Sequence, residues 1–599
     1  MLKRAFAFGS SGALTAGLLT GVLASPALAA PCGTGPYSGG DGSPDDPYQI
    51  STSADLDSLR TATGDWACAF VLTGNITTSS TWKTGIGTAV TNFTGSFNGG
   101  GYEVSGLTVF DENETDNMGF FGFTDSATIN NIGFTGTVTG DGDVGGLIGR
   151  AEDTTVSNSW TNVTVNGGYD DGDDIGGLVG QAVSSTFSNV WARGSVTGHG
   201  SGSANFVGGL LGDAGVSTIT DSWAEGDVVA NGDHVGGLIG ALDDGGSVSG
   251  SYASGSVTVT TASTQDHGGL IGKVVEEDEV TTVTTSYASG AVNGIEDVGG
   301  LIGENEGRVS RSYAIGPVTA TEFVGGLVGL NDNNSAGTIE DSYATGTVTG
   351  DDLVGGLVGE NEGVIRRSYS KGSVTGTSNE GGLVGNDDGG TVSDSYWDTQ
   401  TSSLESSAGG TPKTTVQMKT ISTFSSWSIV AGYSSSSTWG ICGPVNSGYP
   451  YLTGTSSSDP CVTSNSLPSN VYTLTLEPAE GSICTVASVS GLVNTWVSLP
   501  PATSCRPVDE NSQAVLLGWA TARGFPVEIA QRQVDLGWGA YEFKNESGTI
   551  TNIFIPSDGS AFIVAPDRLY AVWSEPLVVE EVAAPEAQSP APVTVGVPA

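Results

Sequence analysis

The 599-residue sequence predicts an all-β chain: a parallel β-solenoid (β-helix) of about ten coils followed by a small β-rich domain. Three observations carry that prediction. The first is a hexapeptide: apolar residue, Gly, Gly, Leu, aliphatic residue, Gly. It begins at Val144, Ile175, Val207, Val235, His267, Val298, Val324, Val354 and Glu380, at successive spacings of 31, 32, 28, 32, 31, 26, 30 and 26 residues. Self-similarity at such a period marks stacked units, none of which can bury its apolar face alone. The second is a Ser-aromatic pair within each unit, at Ser159-Trp160, Ser222-Trp223, Ser251-Tyr252, Ser286-Tyr287, Ser312-Tyr313, Ser342-Tyr343, Ser368-Tyr369 and Ser395-Tyr396, with Val190-Trp191 in the remaining slot. The third is a following Gly-x-Val, as in Gly194-Ser195-Val196 and Gly346-Thr347-Val348. Each unit thus holds three short extended pieces, rich in β-branched residues and without helical periodicity. Coils stacked ~4.8 Å apart would give a rod of about 50 Å.

The elements follow in order. Residues 1–29 read as a secretory signal: Lys3 and Arg4, an apolar stretch from Ala5 to Leu23, and the small-x-small site Ala27-Leu28-Ala29. Residues 30–118 form an N-terminal cap. Within it Ala54 to Leu59 is a short helix candidate, and Phe70-Val71-Leu72 and Phe93 to Phe97 read as strands. The repeats run over 119–399, opening on a degenerate copy at Gly119-Phe120-Phe121-Gly122. Residues 400–453 cap the other end. A Ser/Thr-rich linker covers 454–470, a separate β-rich domain 471–576, and a disordered Pro/Ala-rich tail 577–599.

Strict alternation would put the first and fifth hexapeptide positions on one face and Leu on the other. All can point inward only if the Gly-Gly pair turns a corner.

Lys+Arg number 19 against 65 Asp+Glu, a net charge of −46. Such a chain repels nucleic acid and anionic membrane, and attracts cations. No apolar run long enough to span a bilayer follows the signal, so no transmembrane anchor is expected in the mature chain. Six cysteines fall in three local pairs: Cys32 and Cys68, Cys442 and Cys461, Cys484 and Cys505. In an exported chain they are disulfide candidates, with neighbour pairing one of 15 connectivities. Reduced, buried thiols are the alternative.

The repeat resembles the GLUG motif of bacterial surface and secreted proteins. The resemblance extends from Asp45–Leu59 to the exit segment, with Tyr396-Trp397-Asp398-Thr399, Gly409-Gly410-Thr411, Thr415-Val416-Gln417-Met418 and Tyr449-Pro450-Tyr451-Leu452. It implies a surface or adhesion-associated role and brings no catalytic residues. Gly518-Trp519 and Leu569-Tyr570-Ala571-Val572-Trp573 resemble strand ends of the β-grasp-like repeats of internalin-type proteins.

The histidines are His199, His234 and His267, and no His-Glu-x-x-His is present. Gly198-His199-Gly200 with Asp173-Asp174 upstream resembles the polygalacturonase pattern, but the flanking Ser and Gly suggest a loop and no Arg-Ile-Lys follows. His267 occupies an apolar column and reads as structural. No catalytic residue and no cofactor are therefore expected. Asp170, Asp171, Asp173 and Asp174 are candidates for structural calcium, against the simpler reading of solvated turn carboxylates. The aromatic column reads as a packed ladder, with an exposed sugar-stacking strip as the alternative. Arg308, Arg311, Arg366 and Arg367 read as partners of nearby acids. The expected function is non-catalytic: an adhesin-like secreted or cell-surface protein presenting a solenoid face to an extracellular glycan or protein. A carbohydrate-active β-helix enzyme and a pure spacer are the alternatives.

Overall fold

The computed structural model describes residues 32–33, 35–110, 116–167, 174–198, 206–243, 245–261, 264–332, 337–443 and 445–453, and the backbone of strands within 471–573. The signal at 1–29, Asp170, Asp171, Asp173, His199, the linker at 454–470 and the tail at 577–599 lie outside the described residues. The chain divides into two compact units, Met1–Ile429 and Val430–Ala599.

The first unit is a parallel solenoid whose coils each run through four stacks. The first stack has nine strands, from Val144–Gly145 to Glu380–Gly381. The second has ten, from Phe121–Asp125 to Val384–Asp387, and the third thirteen, from Tyr48–Ile50 to Thr391–Ser393. The fourth begins as long strands such as Trp160–Gly167. It then splits into an aromatic ladder and a valine ladder, as in Trp191–Ala192 and Val196–Gly198. Phe121 pairs in register with Ile148, so the degenerate copy is a coil of the stack.

The Gly-Gly pair turns the corner. Val144, Leu147 and Ile148 are all fully buried, and the chain bends at Gly146 and Leu147. A Cβ on Gly145 would stand 1.9 Å from the Ile148 carbonyl oxygen, a contact no side chain tolerates. Other corners use left-handed residues. Asp266, Asp297, Phe323 and Leu353, each just before a hexapeptide, have φ of 65°, 50°, 51° and 53°. Asn158, Asn189, Asp221, Thr285 and Arg311, each just before the Ser-aromatic slot, have φ near 50°. Asn and Asp adopt this region more readily than most residues, whereas Phe323 and Leu353 are held there by the surrounding stack.

Two polar ladders run through the buried wall. The serine of each Ser-aromatic pair accepts a hydrogen bond from the backbone N–H one coil earlier: Ser222 to Ser251, Ser251 to Ser286, Ser286 to Ser312 and Ser312 to Ser342, at 3.1–3.2 Å. Its hydroxyl donates to the carbonyl two residues before it. The second ladder is Asn305, Asn331, Asn361 and Asp387. Asn305 Nδ2 donates to Asn331 Oδ1 (2.8 Å), Asn331 Nδ2 to Asn361 Oδ1 (2.9 Å), and Asn361 Nδ2 to Asp387 Oδ1 (2.7 Å). Asn331 is fully buried. Asn331→Ala opens a cavity and strips a partner from Asn361 and from the Gly337 carbonyl. It should lower unfolding free energy in urea by about 3 kcal/mol. A loss under about 1 kcal/mol would show that the ladder is dispensable.

The helix candidate forms as Ser53–Thr61, closed by a capping box between Thr52 and Asp55. A disulfide joins Cys32 to Cys68, with Cα atoms 5.9 Å apart. In the second unit Trp439–Ile441 pairs antiparallel with Tyr451–Leu452, and a six-stranded sheet spans strands between Val471 and Trp573. Cys442 is disulfide-bonded, while Cys461 lies outside the described residues. Cys484 and Cys505 stand directly opposite in an antiparallel pair.

Candidate functional site

Because coils repeat in register, each outward position becomes a column. The second stack carries Arg150, Gln181, Asp213, Ala241, Lys273, Glu304, Leu330, Glu360 and Asn386, each paired with the next. Beside it run the corner residues that precede the hexapeptides, from Asp143 and Asp174 to Leu353 and Asn379. The two columns meet. Arg150 lies 3.5 Å from Asp143, Gln181 Nε2 donates to Asp174 Oδ2 at 2.5 Å, and Lys273 lies 4.0 Å from Asp266.

Three acidic corners are buried where the sequence suggested solvated turns, while Asp351 is exposed. Asp174 is 3% exposed, Asp266 0% and Asp297 6%. These three corner residues lie between coils, so their carboxylates are covered by the next layer. Burial pushes the Asp143 carboxyl up to about 6, offset in part by Arg150. Burial and then the Asp213 and Asp143 charges raise Asp174 well above the usual range. Of the four calcium candidates only Asp174 is described, and its neighbours on adjacent coils are Asp143 and Asp213.

Farther along, Lys273 Nζ lies 2.5 Å from Glu304 and 3.6 Å from Glu306. Glu304, Glu306 and Asp332 hold ligand oxygens within 4.8 Å of one another, so they form a geometrically possible cation site. The Lys273 ammonium already supplies countercharge there. Burial and the Asp266 charge push Glu304 up to about 9, and burial pushes Asp297 up to about 8. The sequence reading missed this group. The sequence signal for Lys273 and Glu304 is that each directly follows a hexapeptide, whereas Glu306 and Asp332 lie two residues farther on.

His234 Nδ1 lies 2.8 Å from Asp266 Oδ2, and the imidazole stacks on Phe206 at 4.9 Å. Among the described residues no hydroxyl or thiol is hydrogen-bonded to His234. His267 is fully buried, and burial holds its pKa down at about 4, which keeps it a neutral part of the wall. Arg366 and Arg367 pair with Glu340 and Asp341 at 2.7–2.9 Å.

The aromatic column is a continuous stack. Trp160, Trp191, Trp223, Tyr252, Tyr287, Tyr313, Tyr343 and Tyr369 lie face to face with centroids 4.8–6.0 Å apart. Phe424 and Trp427 of the exit segment pack against Tyr396, and Trp427 also against Tyr369. The rings are half-buried up to Tyr313 and buried beyond it. Each face is occupied by the neighbouring ring, so what reaches solvent is ring edges and phenol hydroxyls. A sugar ring stacks on an aromatic face, and the column offers none between coils. The packed reading therefore describes it, with an exposed edge.

A parallel β-solenoid with in-register outward columns is a repeat protein. Residues 231–260 and 324–349 match the GLUG motif. Over 117 residues it is 38% identical to halomucin of Haloquadratum walsbyi, a match covering 18% of this chain and 1% of halomucin. The chain therefore spans a very small part of that relative. A crystal structure of a proposed immunoglobulin A1 protease from Bacteroides ovatus aligns with a TM-score of 0.34 at 16% identity, covering 51% of this chain and 86% of that one. Among the described residues no helix is long and apolar enough to cross a membrane.

Proposed function

We propose that this is a non-catalytic, secreted or cell-surface protein of adhesin-like type, which presents its solenoid to an extracellular glycan or protein. The carrying observation is the register of the outward columns, which in the aromatic column repeats one chemical group coil after coil. GLUG repeats and the similarity to halomucin support a surface-associated setting. The reading needs no cofactor, and residues 471–576 are taken as a β-grasp-like accessory domain. Binding of the mature chain to arrayed extracellular glycans and proteins, with and without calcium, tests it. Saturable binding without turnover is expected. Depolymerisation of a polysaccharide by the purified chain would replace this reading with the enzymatic one.

A further inference from the structure

The outward faces of the solenoid differ sharply in charge. The second stack and its corners carry stacked carboxylates. The fourth stack does not. Along it each coil carries four positions facing away from the core, alternating with buried Ala, Gly and Val, and in the four coils below all but the buried Tyr343 reach solvent. In four successive coils they are Tyr252, Ser254, Ser256, Thr258; Tyr287, Ser289, Ala291, Asn293; Tyr313, Ile315, Pro317, Thr319; and Tyr343, Thr345, Thr347, Thr349. None of these sixteen positions, four in each of four coils, bears a charge, in a chain of net charge −46. The columns are in register: Tyr252 with Tyr287, Tyr313 and Tyr343, and Thr258 with Asn293, Thr319 and Thr349. Burial keeps the Tyr252, Tyr287 and Tyr313 phenols protonated. The band has charged ends. On one side Arg193 pairs with Glu225 at 2.8 Å and Asp227 accepts from Ser256, and on the other stands Lys371.

We infer that this band is the binding face for a neutral polysaccharide. The inference rests on the surface-binding reading and names its ligand class. Charge argues the case. An anionic polymer is repelled by the chain as a whole, and a polycation is drawn to the carboxylate columns of the second stack. An uncharged polyhydroxylated chain suits a face whose outward groups are phenol, hydroxyl and amide, interrupted by the apolar Ala291, Ile315 and Pro317. The polar groups donate and accept without the desolvation cost of an ion. The Thr258–Asn293–Thr319–Thr349 column gives such a polymer a hydroxyl or amide every coil, about 4.8 Å apart, so weak contacts add along its length.

The test uses the mature full-length chain in pelleting and depletion assays. Insoluble cellulose, starch and galactomannan are the neutral probes, with polygalacturonate and poly-lysine as the charged comparators. At least one neutral polysaccharide should bind. Thr319→Glu with Thr349→Glu should weaken that binding at least 10-fold, whereas Glu360→Gln on the second stack with Glu362→Gln in the turn after it should leave it unchanged. Unaltered circular dichroism confirms that the double variant folds, and Asn293→Asp serves if it does not. Neutral binding that survives these fourth-stack substitutions overturns the face. Binding of poly-lysine or an arrayed protein with no neutral polysaccharide bound overturns the inference and leaves the surface-binding reading standing. Absence of binding to every probe and array element overturns both.

Discussion

Gly299→Ala should abolish cooperative folding of the solenoid. Gly299 is the first glycine of the hexapeptide at Val298. A Cβ there would lie 1.8 Å from the Ile302 carbonyl oxygen of its own coil and 2.7 Å from the Leu327 oxygen of the next. Both obstacles are backbone, so no rotamer change relieves them. Overpacking in an adaptable core costs about 1–3 kcal/mol. Here the corner itself must open, which separates Val298, Leu301 and Ile302, all fully buried. A loss above about 4 kcal/mol is expected. The coil sits mid-stack, and solenoid stability is a sum of coil and interface terms, so unfolding should break into two transitions. Gly64→Ala is the control, since a Cβ at Gly64 meets no atom within 4 Å. Thermal unfolding followed by circular dichroism decides. A Gly299→Ala melting point within about 2 °C of the parent would show that the corner tolerates a side chain.

That prediction also shows where the sequence was legible. Period, glycine spacing and β-branched content announced a solenoid, because a stacked coil must repeat its apolar contacts at nearly fixed intervals. The corner at the Gly-Gly pair was only posed by the sequence, because alternation alone does not say whether Val144, Leu147 and Ile148 are buried together. The outward chemistry was much less legible. Asp174, Asp266 and Asp297 look like turn residues along the chain, and only stacking covers them. Lys273, Glu304, Glu306 and Asp332 lie on three coils, so the cluster exists only once register is known. The Asn305–Asn331–Asn361 ladder was hidden for the opposite reason. Its residues follow acidic or apolar neighbours that point outward, and a single Asn per coil looks like a loop residue until alternation places it inside. The charge-free band was equally invisible, because its sixteen positions are spread over about a hundred residues and are defined by what they lack.

Asp297→Asn should stabilise the protein at alkaline pH and have little effect at pH 4. Burial raises the Asp297 carboxyl from an ordinary value of 3.8 to about 8. The Asp266, Glu296 and Glu360 charges push the same way, and Lys273 partly opposes them. The folded chain therefore holds a proton that the unfolded chain releases above about pH 4. With fewer protons bound in the unfolded state, stability falls as pH rises from about 4 to about 8, and the full penalty applies beyond that window. About 4 units at about 1.4 kcal/mol each sets a ceiling of roughly 5–6 kcal/mol, which solvent reorganisation reduces. Asn keeps the side-chain shape, carries no charge to bury, and tolerates the φ of 50° at this corner. A gain of about 2–3 kcal/mol at pH 9 is expected, shrinking towards zero at pH 4. His267 works in the opposite sense. Its pKa is held near 4, so it adds stability above pH 6.5 that is lost as pH falls towards 4. The parent's net pH profile therefore mixes the two, and the comparison must be made between Asp297→Asn and parent in each buffer. Equal differences in urea unfolding free energy at pH 4 and pH 9 would mean that Asp297 is ionised in the fold. The buried carboxylates of the second-stack corner would then be compensated charges, and the acidic column a standing field rather than a protonated one.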